Sequence, residues 1–145
     1  KIKYYADLKK HIKKTQKTEE NLIVMGDFNV APSPLDIGIG EINAKRWLKE
    51  GKTAFLPEEI DMWNSIKDLG FIDSWREQNP DEGSIYSWFD YRSRMFDDTP
   101  KRGLRIDHIL IAEHMKKHIK ETGIDYVARA MEKPSDHCPV WVELK

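Results

Sequence analysis

Asp107 limits how this chain can fold more than any other residue, because it is an acid inside the most regular apolar run. From Leu104 to Ile111 one alternating set is Leu104, Ile106, His108 and Leu110, and the other is Arg105, Asp107, Ile109 and Ile111. The stretch reads as a strand with both faces largely covered. An ionised carboxylate there is costly unless it is paired or hydrogen-bonded. The fold must therefore bring Asp107 a partner from elsewhere in the chain.

Two other places offer chemistry at the end of a strand. Asn21 to Met25 is a short, branched apolar run that reads as a buried strand, and Gly26-Asp27-Phe28-Asn29 follows it. Asp27 and Asn29, two apart, would project to the same side at the strand's carboxyl end, where α/β sheets place ligands. Ser135-Asp136-His137 lies in a proline-bounded loop before a terminal strand, Val140 to Leu144. It supplies a further carboxylate and an imidazole.

The rest of the chain reads as helices and strands in irregular alternation, an α/β pattern without repeats. Ile2, Tyr5, Leu8 and Ile12 recur at helical spacing among lysines, which predicts an amphipathic helix to about Thr18. Ala31 to Gly40 reads as loop, and Glu41 to Glu50 as a helix closed by Gly51. Pro57, Glu58 and Glu59 open a further helix that Gly70 stops. Ser84 to Phe89 is strand-like, Asp90 to Gly103 is a polar connection carrying Arg92, Arg94, Lys101 and Arg102, and residues 113–130 hold short, weak elements.

A chain of 145 residues suits one domain, and 34% charged residues with 39% hydrophobic ones exclude fibrous, disordered and membrane-spanning classes. A single cysteine, Cys138, permits no internal disulfide, and no signal-peptide pattern precedes the first helix, so the expected compartment is the cytoplasm. The net charge of −1 argues against a polyanionic partner only if the charges are mixed. They are not: basic blocks over 1–18, 44–56 and 84–106 alternate with acidic ones, and gathering the basic blocks around one cleft would attract an anion. The chain begins at Lys1, inside a helical pattern with no capping residue before it, which reads as a piece of something longer.

Several motifs fail. Gly38-x-Gly40 lacks the third glycine of a dinucleotide loop, His114 and His118 have no third zinc ligand at suitable spacing, and Cys138 beside His137 would point away from it. Asp27, Asn29, Asp107, Asp136 and His137 form a better set. Carboxylates bind Mg²⁺ through hard oxygens, and Mg²⁺ bridges phosphate oxygens. An amide can donate to a phosphoryl oxygen, and an Asp–His pair fixes the imidazole tautomer and favours its cation. That chemistry points to phosphodiester hydrolysis, against a plainer reading in which Gly26-Asp27 is a turn, Asn29 an Asx turn, Asp107 a satisfied buried acid and Ser135-Asp136-His137 a loop.

At these residues the chain becomes recognisable. GDFNVAPSPLDIGIG, RWLKEGKTAFLPEE, SWFDYRSRMFDD, RGLRIDHIL, ETGIDY and MEKPSDHCPVW all resemble segments of the bacterial exonuclease III and AP endonuclease family, within the endonuclease/exonuclease/phosphatase superfamily. The resemblance implies a four-layer α/β sandwich of the deoxyribonuclease I type. Residues 1–145 would form its C-terminal half, a mixed and mostly antiparallel sheet flanked by helices, as a single partial domain. It also implies Mg²⁺-dependent hydrolysis in DNA repair, with Mn²⁺ as an alternative ion. The activities would be 3′ to 5′ exonuclease action on double-stranded DNA and incision at abasic sites.

The same resemblance assigns roles. Asp27 would activate water or transfer protons and bind metal, Asn29 would hold the scissile phosphate, Asp107 would orient His137, and Asp136 would join the metal carboxylates. Trp88, Leu104 and Ile106 would line an apolar pocket for a base-free deoxyribose, with ordinary core as the competing reading for the two aliphatic residues. Arg92 and Arg105 would lie along the DNA backbone. A metal-binding glutamate, an asparagine and a tyrosine belong to the family's first half, so this chain alone is expected to be weak or inactive and prone to self-association. The competing functions are a non-catalytic DNA-binding fragment and a phosphodiesterase acting on another phosphate ester.

Overall fold

The computed structural model describes residues 1–15 and 20–145. The chain opens with helix α1 (Ile2–Thr15), and the expected extension to Thr18 falls outside the described residues. Strand β1 (Ile23–Asp27), helices α2 (Glu41–Lys49) and α3 (Pro57–Lys67), strand β2 (Phe71–Asp73) and helix α4 (Ser74–Gln78) follow. A long irregular stretch then leads to β3 (Asp107–Ala112), β4 (Ile119–Ile124), α5 (Tyr126–Arg129) and β5 (Val140–Leu144). No helix among the described residues is long and apolar enough to cross a membrane.

Three strands form an antiparallel sheet in the order β1-β3-β2, and β4 and β5 form a separate antiparallel pair. The strand expected from Leu104 to Ile111 is observed at Asp107–Ala112, in the centre of the larger sheet, which explains why its side chains are covered. Tyr5 and Ile12 of α1 meet Trp63 and Ile66 of α3 and Leu110 of β3 in one buried cluster. A second cluster joins Ile39, Phe55, Tyr86, Phe89, Leu104 and Ile106.

The sequence reading is corrected in three places. β1 runs two residues later than expected and is an edge strand, with Met25 71% exposed and Ile23 39% exposed, because nothing among the described residues covers that face. The Phe71–Asp73 strand has too few residues to show a periodicity of its own. Ser84–Phe89 is not a regular strand, since its bonds go to two different segments through isolated bridges at Trp88. Gly38 belongs to packing and not to a nucleotide loop: a Cβ there would lie 2.0 Å from the Tyr86 ring.

Candidate active site

Three segments converge at one end of the sheet. Because β1 and β3 are antiparallel, the carboxyl end of one meets the amino end of the other, and Asp27 lies directly opposite Asp107. The extended Ser87–Phe89 segment lies between β3 and the last loop, with Trp88 bridging Leu104 on one side and His137 on the other. Phe89 N–H donates to the Asp136 carbonyl at 2.9 Å, and Cys138 N–H donates to the Ser87 carbonyl at 2.7 Å. These backbone bonds hold the Ser135-Asp136-His137 loop against the start of β3.

The partner that Asp107 requires is His137. Its Nδ1 lies 2.9 and 3.1 Å from the two carboxylate oxygens. That bond holds the His137 pKa above its ordinary value, outweighing burial, and the negative charges of Asp107, Asp27 and Asp136 act in the same direction. With Nδ1–H committed to the carboxylate, Nε2 is the nitrogen left to act on a substrate.

Asp27 and Asn29 meet by another route than strand alternation. The strand ends at Asp27, and Asn29 adopts a left-handed backbone with φ of 53°. Asn29 N–H donates to Asp27 Oδ1 at 2.7 Å, and the Asn29 amide donates to Oδ2 at 3.0 Å. The turn therefore fixes the carboxylate while leaving it exposed. Lys1 Nζ donates to the Asn29 carbonyl and to Thr53 and Glu59, which ties this turn to α3.

Ser87, which the sequence does not single out, supports the centre. Fully buried, its hydroxyl accepts from the N–H groups of Ile106 and Asp107, both at 3.0 Å. It satisfies the backbone just where β3 begins and so sets the position of Asp107.

Donor atoms of Asp27, Asp107 and His137 all lie within 4.8 Å of one another, the one such group among the described residues. Asp136 is not part of it. Adjacent residues on an extended segment point apart, so His137 faces Asp107 while the Asp136 carboxylate accepts from the Trp88 indole N–H at 3.0 Å. Asp136, expected with Asp27 as a metal ligand, thus lies outside this cluster, with one carboxylate oxygen engaged by Trp88. Hard oxygens dominate the cluster, and one exposed carboxylate is enough for Mg²⁺, which keeps several waters and takes other ligands from substrate phosphate. The donor set fits a divalent cation held at Asp27.

The Arg105 expectation is overturned. Arg105 is 1% exposed, with Nε on Asp36 at 2.7 Å, Nη2 on Asp73 at 2.7 Å and Nη1 on His108 Nδ1 at 3.0 Å. His108 Nε2 in turn donates to the Val30 carbonyl at 2.7 Å. Burial pushes the Asp73 carboxyl up, but the Arg105 charge and the His108 bond leave it well below the carboxylate range. Arg105 locks the Asp36 turn to the sheet and cannot meet DNA.

Leu104 and Ile106 are core residues at 1% and 4% exposure, whereas Trp88 is half-buried beside Asp136 and Trp47. Arg92 is exposed on the turn after Asp90. Cys138 is buried and its pKa is pushed up to about 12 by that burial, so it is no nucleophile.

Residues 1–137 match the Endonuclease/Exonuclease/phosphatase family. The chain belongs to that family. It is 50% identical to exodeoxyribonuclease III of Haemophilus influenzae over 145 residues, all of this chain and 54% of that protein. It is 32% identical to an exodeoxyribonuclease of Bacillus subtilis over 82% of this chain and 42% of that one. The fold matches the 3′-5′ exonuclease of Neisseria meningitidis with a TM-score of 0.85 and 35% identity, covering 98% of this chain and 52% of that chain. An AP endonuclease from Archaeoglobus fulgidus gives the same TM-score at 28% identity, covering 99% and 52%. The chain thus spans about half the length of these relatives, and the family is generally dependent on divalent metal.

Proposed function

We propose that this chain is the C-terminal half of a Mg²⁺-dependent DNA repair nuclease. It would remove nucleotides 3′ to 5′ from duplex DNA and incise at abasic sites, as a cytoplasmic enzyme with a reduced, buried Cys138. The observation that carries the reading is the Asp107–His137 pair facing Asp27 across the strand register.

Each residue then has a physical task. His137, kept cationic by Asp107, donates from Nε2 to a phosphoryl oxygen and offsets charge developing at phosphorus. Asp27, oriented by both donors of Asn29, accepts or relays the proton of the attacking water, while the second amide hydrogen of Asn29 is available to the phosphate. Mg²⁺ held at Asp27 would polarise the phosphoryl group and stabilise the leaving oxygen. Trp88 offers an indole face beside the dyad for a deoxyribose or base, and Arg92 offers charge to the backbone.

Support for the substrate class comes from relatives named as exodeoxyribonucleases and AP endonucleases, and from one structural neighbour described as a 3′ phosphatase bound to a product DNA hairpin. The exposed edge of β1, with Met25 and Ile23, is where a further half would pack or copies would associate. The test is a chimaera in which this chain replaces the matching 54% of the Haemophilus enzyme. We expect it to cleave abasic duplex with Mg²⁺, the isolated chain to be weak or inactive, and Asp27→Asn to lower the chimaera's rate by orders of magnitude. Cleavage at an unchanged rate in that variant would overturn the role given to Asp27, and a chimaera that binds abasic duplex without cleaving it would leave only the DNA-binding reading.

A further inference from the structure

Beside the catalytic loop lies a second cationic feature that the mechanism does not use. Arg129, the last residue of α5, is 7% exposed, and among the described residues its guanidinium makes no hydrogen bond and no ion pair. Its Nε is fully enclosed without a partner. Burying an arginine in this way costs free energy unless something compensates the charge. Three aromatic rings do so in part: the guanidinium carbon lies 4.7 Å from the ring centre of Phe96, 5.2 Å from that of Tyr91 and 5.9 Å from that of Phe89.

Rings stabilise a guanidinium over its faces and leave the N–H groups along its edge without acceptors. An aromatic clamp therefore fixes the orientation of Arg129 and leaves its fork unused. Arg129 lines a cleft of about 410 Å³ together with Tyr91, Arg94, Phe96, Met131 and Pro134. Asp97 on the rim is already engaged by Arg94 at 3.2 Å. The Tyr91 hydroxyl donates to the Pro134 carbonyl, at the start of the loop that carries Asp136 and His137. The cleft and the catalytic loop thus share a wall.

We infer that Arg129 is a phosphate-binding subsite, taking a backbone phosphate of the DNA strand next to the one that His137 addresses. The inference rests on the nuclease reading. A planar fork accepts two phosphate oxygens at once, and a preoriented arginine loses little side-chain entropy on doing so. Completing its hydrogen bonds would remove the cost of an unpaired buried charge, which makes binding tighter than at a surface lysine.

The test uses the 145-residue chain itself, without metal, so that no cleavage is needed. Affinity for a short labelled duplex with an abasic analogue is measured against salt for the unmodified chain and for Arg129→Gln, and the Arg129 Nε–H resonance is followed by NMR. We expect the substitution to weaken binding about tenfold at low salt and to reduce the log–log salt slope by about 0.9, the value for one phosphate. The Nε–H signal should shift saturably on adding duplex. Equal affinity and equal slope in a folded variant would overturn the subsite. Should Arg129→Gln fail to fold, an Nε–H signal unmoved by duplex in the unmodified chain overturns it equally. If the chain does not bind duplex but inorganic phosphate shifts the Nε–H signal, the DNA assignment fails and a free-phosphate site remains. If neither ligand moves it, Arg129 is a packing residue only.

Discussion

Asp27 and Asp107 are direct cross-strand partners, two carboxylates held opposite each other at the end of an antiparallel ladder. Like charges in that position destabilise a sheet, by roughly 0.2–1 kcal/mol. The pairing persists because Asn29 donates twice to one carboxylate and His137 bonds the other. Asp27→Asn relieves that repulsion but offers only one acceptor to the two Asn29 donors, so the melting temperature of this chain should stay within about 4 °C of the unmodified value while hydrolysis in the chimaera falls by orders of magnitude. Differential scanning calorimetry checks the first part, and a larger fall would show that the Asp27 carboxylate is needed for folding.

Ser87→Ala removes the acceptor for two backbone N–H groups, those of Ile106 and Asp107, in a place sealed from water. Each unpaired donor costs about 1–3 kcal/mol, so the variant should lose about 2–6 kcal/mol of stability. Urea titration measures it. Ser87→Thr keeps the hydroxyl but adds a methyl in a filled space, so a smaller loss there than for alanine would confirm that the hydrogen bonds dominate.

How much of this could be read from the sequence depends on whether a residue's role is local. Asp27, Asn29, Asp107 and His137 stood out because charged or amide groups at strand ends contradict their apolar surroundings, and the structure brings all four together. Asp36, Asp73 and Ser87 carried no such signal: an acid near a proline turn or a serine among aromatics looks ordinary until its distant partner is known. Arg105 was misread for the converse reason. It follows a stretch rich in basic residues, and only the carboxylates of Asp36 and Asp73, far away in sequence, draw it into the interior. β1 likewise looked buried because apolar composition does not distinguish an edge strand from a central one.

The His137 titration gives a pH prediction whose sign follows from its raised pKa. A histidine whose folded pKa exceeds the unfolded value of about 6.5 contributes stability in full below that value, and the contribution is lost as pH rises through the folded pKa. Activity that needs the imidazolium should fall over the same window, above about pH 6.5. Asp107→Asn removes the main cause, so the His137 ring proton shift, followed by NMR against pH, should titrate lower in the variant. An unchanged midpoint would mean that Asp107 does not control the imidazole.

Arg105→Met should be among the most damaging single changes in the molecule. It leaves Asp36 and Asp73 buried without their shared cation, a loss of about 3–5 kcal/mol. Arg76 still bonds Asp36, so the orphaned group is chiefly Asp73. Its depressed pKa means that the Asp73 contribution is present above about pH 4 and lost as pH falls through the lower folded value. The unmodified chain should therefore lose stability progressively as pH falls below about 4. In Arg105→Met the Asp73 carboxyl, no longer held down by the guanidinium, should take up its proton at higher pH. Circular dichroism against pH separates the two, and a variant with an unchanged acid midpoint would show that the network contributes nothing to acid stability.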